Sequence, residues 1–217
     1  KSELINEIGS FCSYCEKKVN RSSLHIEHIK GKKVKNNAGD LIYDGLKYRW
    51  DNFLLACCNC NSIKGDKNTD LTKPFLTHEN NLVHYIEIGT GGIIKIKNEV
   101  NGNNLLRTTA FINLVGLDRI PGHPNYSDGD DRWENRMEAI DLAKRQFDKY
   151  TSTPIQTDLE NILCLAKEKV FFSVWYYQFL GHNEVIEALI NGITIEPFKG
   201  THKASFLPPN YKTIVRI

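Results

Sequence analysis

Cys12-Ser13-Tyr14-Cys15, then His25-Ile26-Glu27-His28-Ile29, then Asp51-Asn52-Phe53-Leu54-Leu55-Ala56-Cys57-Cys58-Asn59-Cys60-Asn61-Ser62-Ile63-Lys64 all lie between Phe11 and Lys67. Two Cys-x-x-Cys turns bracket a Glu-His dipeptide and an Asn placed five residues before the second pair. Zinc takes four tetrahedral ligands, and one Cys-x-x-Cys turn presents two thiolates to one ion, so two such turns complete an all-thiolate site from Cys12, Cys15, Cys57 and Cys60. The competing readings are disulfides or unrelated buried cysteines. Pairing through Cys58 leaves one residue before Cys60, too short for the usual turn, and Cys58 is therefore expected to be a spare buried thiol. Closing the knuckle fixes the ends of the segment that carries Glu27, His28 and Asn52.

Together, Ile26-Glu27-His28-Ile29, Trp50-Asp51-Asn52-Phe53-Leu54-Leu55-Ala56-Cys57 and Cys60-Asn61-Ser62-Ile63-Lys64-Gly65 resemble the HNH endonuclease motif in its zinc-stapled form. The resemblance covers roughly residues 11 to 67. It implies a ββα-metal fold, in which a two-stranded ribbon and a helix hold one divalent ion between them. By position, His28 matches the general base that takes a proton from the attacking water. Asn52 matches the residue that ties down the loop between the strands and helps orient the base. Glu27, where the family often has Asp, and Asn61, where it has a final His or Asn, match the metal ligands.

The residue types suit that chemistry. In-line attack of water on a phosphodiester needs a base for the water and positive charge for the phosphorus centre and departing oxygen. An imidazole titrates near neutrality. A carboxylate and an amide oxygen suit Mg²⁺ or Mn²⁺, while the thiolates keep zinc, so the two metals do not compete. Adjacent strand residues point to opposite faces, so Glu27 and His28 are expected at a twisted strand end or a bulge. Asn61 and Lys64 share a helix face, which makes Lys64 either a second contact to the same phosphate or a solvated lysine.

Leu24 to Ile29 and Phe53 to Ala56 read as the ribbon, and Asn59 to about Lys67 as the helix. Between the strands lies a long polar connection with its turn at Asn36 to Asp40. Lys30, Lys32, Lys33 and Lys35 form a basic run beside His28, and with Lys47 and Arg49 they are placed to track a phosphate backbone. The chain's net charge is only +2, but residues 1–70 hold twelve Lys/Arg against nine Asp/Glu, and the remainder sixteen against seventeen.

Elsewhere, Ser2 to Ile8 reads as a short helix ended by Gly9, and Val83 to Lys97 as a β-hairpin with His84 half-buried in a strand. Further helices are expected from Asn103 or Asn104 to Val115, from Asp130-Asp131 to about Tyr150, from Thr153 and Pro154 continuously towards Leu180, and from Asn183 to Ile190, with a possible strand in the tail to Ile217. The aromatic stripe of Phe171, Phe172, Trp175, Tyr176 and Phe179 reads as core or a partner face. The fold class is α+β, with an HNH nuclease core and zinc knuckle over residues 1–74 and a hairpin plus helical accessory or partner-docking region over 75–217. With 41% hydrophobic residues the chain can bury a core. Residue 1 is Lys rather than Met, so further sequence is expected before it. No disulfide is needed, no signal peptide opens the chain and no apolar run spans a membrane, which points to the cytoplasm.

The overall layout is also similar to the small HNH proteins of bacterial anti-phage modules. In Septu-type systems, including those attached to retrons, such a protein is paired with an ATPase. That resemblance implies an ATPase partner that restrains or licenses cleavage of nucleic acid, DNA in preference to RNA, with the aromatic C-terminal helices as docking surface. The reading from another class is a zinc-stapled nucleic-acid-binding or assembly module without catalysis.

Overall fold

The structure, a computed structural model, describes residues 1–77, 79–80, 82–152 and 156–191. Helix α1 (Ser2–Ile8) buries Leu4, Ile5 and Ile8 and ends at Gly9, whose φ of 107° favours glycine. Strands β1 (His25–His28) and β2 (Phe53–Ala56) pair antiparallel, His25 opposite Ala56 and His28 opposite Phe53, and α2 (Cys58–Lys64) packs against the ribbon. This is the ββα unit expected from the motif.

The connection between the strands is a set of short turns rather than open coil. The Asn36 side chain accepts from the backbone N–H groups of Ala38 and Asp40, both at 2.9 Å, and closes the expected turn. Short 3-10 turns at Asp44–Leu46 and Trp50–Asn52 carry the chain back to β2.

After the four-residue α3 (Thr69–Thr72), β3 (Ile86–Ile88) and β4 (Ile94–Ile96) make the glycine-turn hairpin. The first part of the expected strand is instead a 3-10 turn over Leu82–His84, and His84 is exposed rather than half-buried in a strand. Helices α4 (Gly102–Val115), α5 (Arg132–Ser152), α6 (Gln156–Lys169), α7 (Phe172–Gln178) and α8 (Asn183–Asn191) complete the described chain. Thr153 and Pro154, read as a helix start, and the possible strand in the tail lie outside the described residues.

The long helix expected to run continuously towards Leu180 is two helices, α6 and α7. Val170 (φ 60°) and Phe171 (φ 49°) are left-handed, a conformation that costs a residue with a side chain about 1–2 kcal/mol. Partners far away in sequence hold the break. Val170 pairs with Lys17 in an isolated bridge, and the Glu16 carboxylate accepts from the Ser173 N–H at 3.1 Å and the Ser173 hydroxyl at 2.5 Å. Glu16 is fully buried, so a residue of the knuckle turn serves as the N-terminal anchor of α7.

The aromatic stripe is core. Phe171, Phe172, Trp175, Tyr176 and Phe179 are all buried, which removes them as a docking surface. They belong to one buried cluster that also holds Leu4, Phe11, Leu55, Phe75 and Phe111, and it runs without a gap across residue 74.

Candidate metal centre and nuclease site

Cys12 and Cys15 come from the turn before β1, Cys57 and Cys60 from the end of β2 and the first turn of α2. All four are buried and unoxidised, and their sulfurs lie within 4.8 Å of one another. An ion with four bonds of about 2.3 Å sets its sulfurs roughly 3.8 Å apart, and the Cys15 to Cys57 separation is 3.8 Å. The set therefore fits zinc. Hydrogen bonding, first from Cys12, pulls the Cys57 thiol well below its ordinary pKa, whereas burial pushes Cys15 and Cys60 up. Cys58 is exposed, not the buried thiol expected, because the first turn of α2 points it outward.

Arg132, which no sequence motif singled out, closes this centre from the second half of the chain. Its guanidinium lies 3.1 Å from Cys60 Sγ and donates to the carbonyls of Val115 (2.7 Å) and Gly116 (2.8 Å). It also makes a bidentate pair with Asp130, which accepts from Asn59 at 2.9 Å. Burial alone would lower the Arg132 pKa, but the Asp130 hydrogen bonds and the adjacent Cys60 and Cys15 hold it above the ordinary value.

His28, half-buried at the end of β1, stands edge-on to Phe53 with ring centroids 5.0 Å apart. Its Nε2 is 3.0 Å from the Lys47 carbonyl oxygen. A carbonyl can only accept, so Nε2 is the donor in this pair. Asn52, buried, holds the surrounding backbone. Its Oδ1 accepts from Lys30 N–H (2.9 Å) and its Nδ2 donates to the carbonyls of Leu46 (3.1 Å) and Lys30 (3.2 Å). One amide thus clamps both sides of the loop, next to the peptide that receives His28.

Glu27 and Lys64 depart from the sequence reading. The β1–β2 register is regular, with no bulge, so Glu27 and His28 leave the strand on opposite faces. The Glu27 carboxylate turns inward and lies 2.5 Å from Lys64 Nζ. Lys64 also donates to the His28 carbonyl at 2.7 Å and is only 1% exposed. It is neither the phosphate contact nor the solvated lysine that its spacing suggested: it is the internal countercharge of Glu27.

Burial raises the Glu27 pKa, against the lowering influence of Lys64. Oε1 already carries the Lys64 ammonium, and the buried Tyr14 hydroxyl stands against the same carboxylate. Asn61, the other expected ligand, is half-buried on α2, one turn before Lys64. Among the basic run, Lys30 pairs with Asp70 at 3.0 Å, while Lys32, Lys33 and Lys35 are exposed.

The geometry is that of a ββα unit stapled by a four-cysteine site, with an imidazole at its ribbon end. Residues 12–67 match the family model described as HNH endonuclease, and such a domain implies metal-dependent nuclease activity and nucleic-acid binding. No curated protein and no solved structure matches the chain. Among the described residues, no helix is long and apolar enough to cross a membrane.

Proposed function

We propose that this chain is a metal-dependent HNH endonuclease that hydrolyses phosphodiester bonds in DNA, with RNA as the less favoured polymer. The observation that carries the reading is the anchoring of His28: its Nε2 is committed to a backbone carbonyl, which leaves Nδ1 as the ring nitrogen for the water, and its loop is clamped by Asn52. That is the arrangement a general base needs, since a fixed tautomer leaves one defined lone pair for the attacking water. Asn52 acts as a positioning residue through the Leu46–Lys47 backbone. Lys32, Lys33 and Lys35, with Lys30 when it releases Asp70, neutralise phosphates along the strand.

Glu27 and Asn61 would hold Mg²⁺ or Mn²⁺, and Lys64 would give up part of its hold on Glu27 to admit it. When bound, that ion supplies positive charge to the phosphate and to the departing oxygen. Zinc in the four-cysteine site is structural and keeps the ribbon and helix in register.

The finer reading is the nuclease effector of a bacterial anti-phage system, acting in the cytoplasm under an ATPase partner. The layout of a zinc-stapled unit followed by a hairpin and helices supports it, as do six free cysteines. Its docking face would be drawn from polar residues of the helical region, because the aromatic stripe is internal.

The test is cleavage of plasmid and of single-stranded DNA with Mg²⁺, alone and with the copurifying ATPase. His28→Ala is expected to lower the rate by about 10²–10⁴-fold, with zinc content and melting temperature unchanged. Undiminished cleavage by that variant would refute the assignment. Metal-independent binding without any cleavage would favour the non-catalytic module.

A further inference from the structure

We infer that Tyr48 and Trp50 form a stacking platform for the unpaired bases of single-stranded or locally opened nucleic acid, set beside His28. The inference rests on the nuclease reading and names the form of substrate that site takes.

Tyr48 is 84% exposed and Trp50 53% exposed, and among the described residues no other Phe, Tyr or Trp is exposed. Every other described Phe, Tyr and Trp is at least half-buried, many fully. Both rings are left in water within one tetrapeptide, Lys47-Tyr48-Arg49-Trp50.

The backbone beneath the rings is stiff. Arg49 N–H bonds to the Leu46 carbonyl and Asn52 N–H to the Arg49 carbonyl, and the Asn52 amide grips Leu46 as well. The peptide joining Lys47 to Tyr48 offers the carbonyl that anchors His28 Nε2 at 3.0 Å. A base resting on Tyr48 would therefore lie one residue from the anchor of the imidazole. On the same ribbon face as His28, Ile26 adds a further apolar surface that is 42% exposed.

The charge around the rings selects the occupant. Between residues 29 and 50 there are six Lys/Arg and two Asp. Lys47 Nζ lies 5.2 Å from the Tyr48 ring centroid, and the Arg49 guanidinium pairs with Asp51 at 2.5 Å on an exposed edge. Exposed rings interleaved with cations match a polyanion with flat apolar faces. In a duplex those faces are already stacked on one another, whereas unpaired bases can be splayed onto aromatic side chains.

The experiment uses the full chain carrying His28→Ala, so that the probe survives, with fluorescein-labelled oligo-dT and a duplex of equal length read by anisotropy in Mg²⁺. The parent should bind the single strand more tightly than the duplex. Tyr48→Ala and Trp50→Ala should each weaken single-strand binding roughly tenfold and leave duplex binding almost unchanged, while Tyr48→Phe keeps the parent affinity. Equal affinity of the parent for both probes, unchanged binding by both alanine variants, or equal loss on both probes would overturn the inference. Cleavage by the His28-containing chain, assayed in parallel, separates the two ideas. Its persistence alongside a null stacking result sinks only the platform, and its absence with an intact stacking effect sinks only the nuclease.

Discussion

Stripping the metal from the four-cysteine site should cost this protein its native fold over residues 11–67. The sulfurs are buried together, and Phe11, Tyr14, Leu55 and Ala56, each at most 1% exposed, pack around them. Structural zinc contributes roughly 10–16 kcal/mol of binding free energy in small peptide sites, against a total of about 5–15 kcal/mol for a typical domain. Without the ion, the buried thiols keep weak hydrogen bonds to one another and from Arg132, and the turn at residues 12–15 loses its main tie to the start of α2.

Because Glu16 in that turn anchors α7, the damage should pass into the helical region as well. Chelation, or Cys57→Ser, is thus expected to abolish the cooperative melting transition seen in the zinc-loaded protein. Circular dichroism with a colorimetric zinc assay would check both points. A zinc-free protein that melted as the loaded one does would show that the knuckle is not what organises the chain.

Arg132→Ala should be the most damaging single change away from the cysteines, destabilising the protein by about 3–5 kcal/mol. The guanidinium is 3% exposed, and its removal strands Asp130 (4% exposed) as an unpaired carboxylate beside the thiolate cluster. It also leaves the carbonyls of Val115 and Gly116 without their Arg132 donors. Arg132→Lys should recover little, because an ammonium cannot reproduce a planar fork that meets a carboxylate, two carbonyls and a sulfur at once. Urea unfolding of the zinc-loaded variants measures this, and a loss below about 1 kcal/mol for Arg132→Ala would mean that the contact is incidental.

The ribbon, the helix and the four thiols were legible because their signals are local. Phe53–Ala56 is an apolar run, Gly65 stops α2, and Cys-x-x-Cys spacing reports a turn whatever surrounds it. What escaped depended on partners distant in sequence. The break at Val170 and Phe171 hides inside an aromatic run of good helical periodicity, and only Glu16 and Lys17 reveal why the chain turns there. Lys64 looked like a surface lysine because its charge said so, and its burial follows from Glu27, which regular strand alternation turned inward. Arg132 had no motif at all; its meaning lies in a cysteine far back in the chain. Tyr48 and Trp50 were readable as residues, but their exposure was not.

The nuclease reading stands on a hard cation held by Glu27 and Asn61 in the unit that carries His28. Anomalous diffraction from crystals grown with zinc and soaked in Mn²⁺ addresses it directly. A zinc peak is expected among the four sulfurs and a separate manganese peak between the Glu27 carboxylate and the Asn61 amide, with Lys64 drawn back from Oε1. Zinc alone, with Lys64 still seated on Glu27 at saturating Mn²⁺, would contradict it.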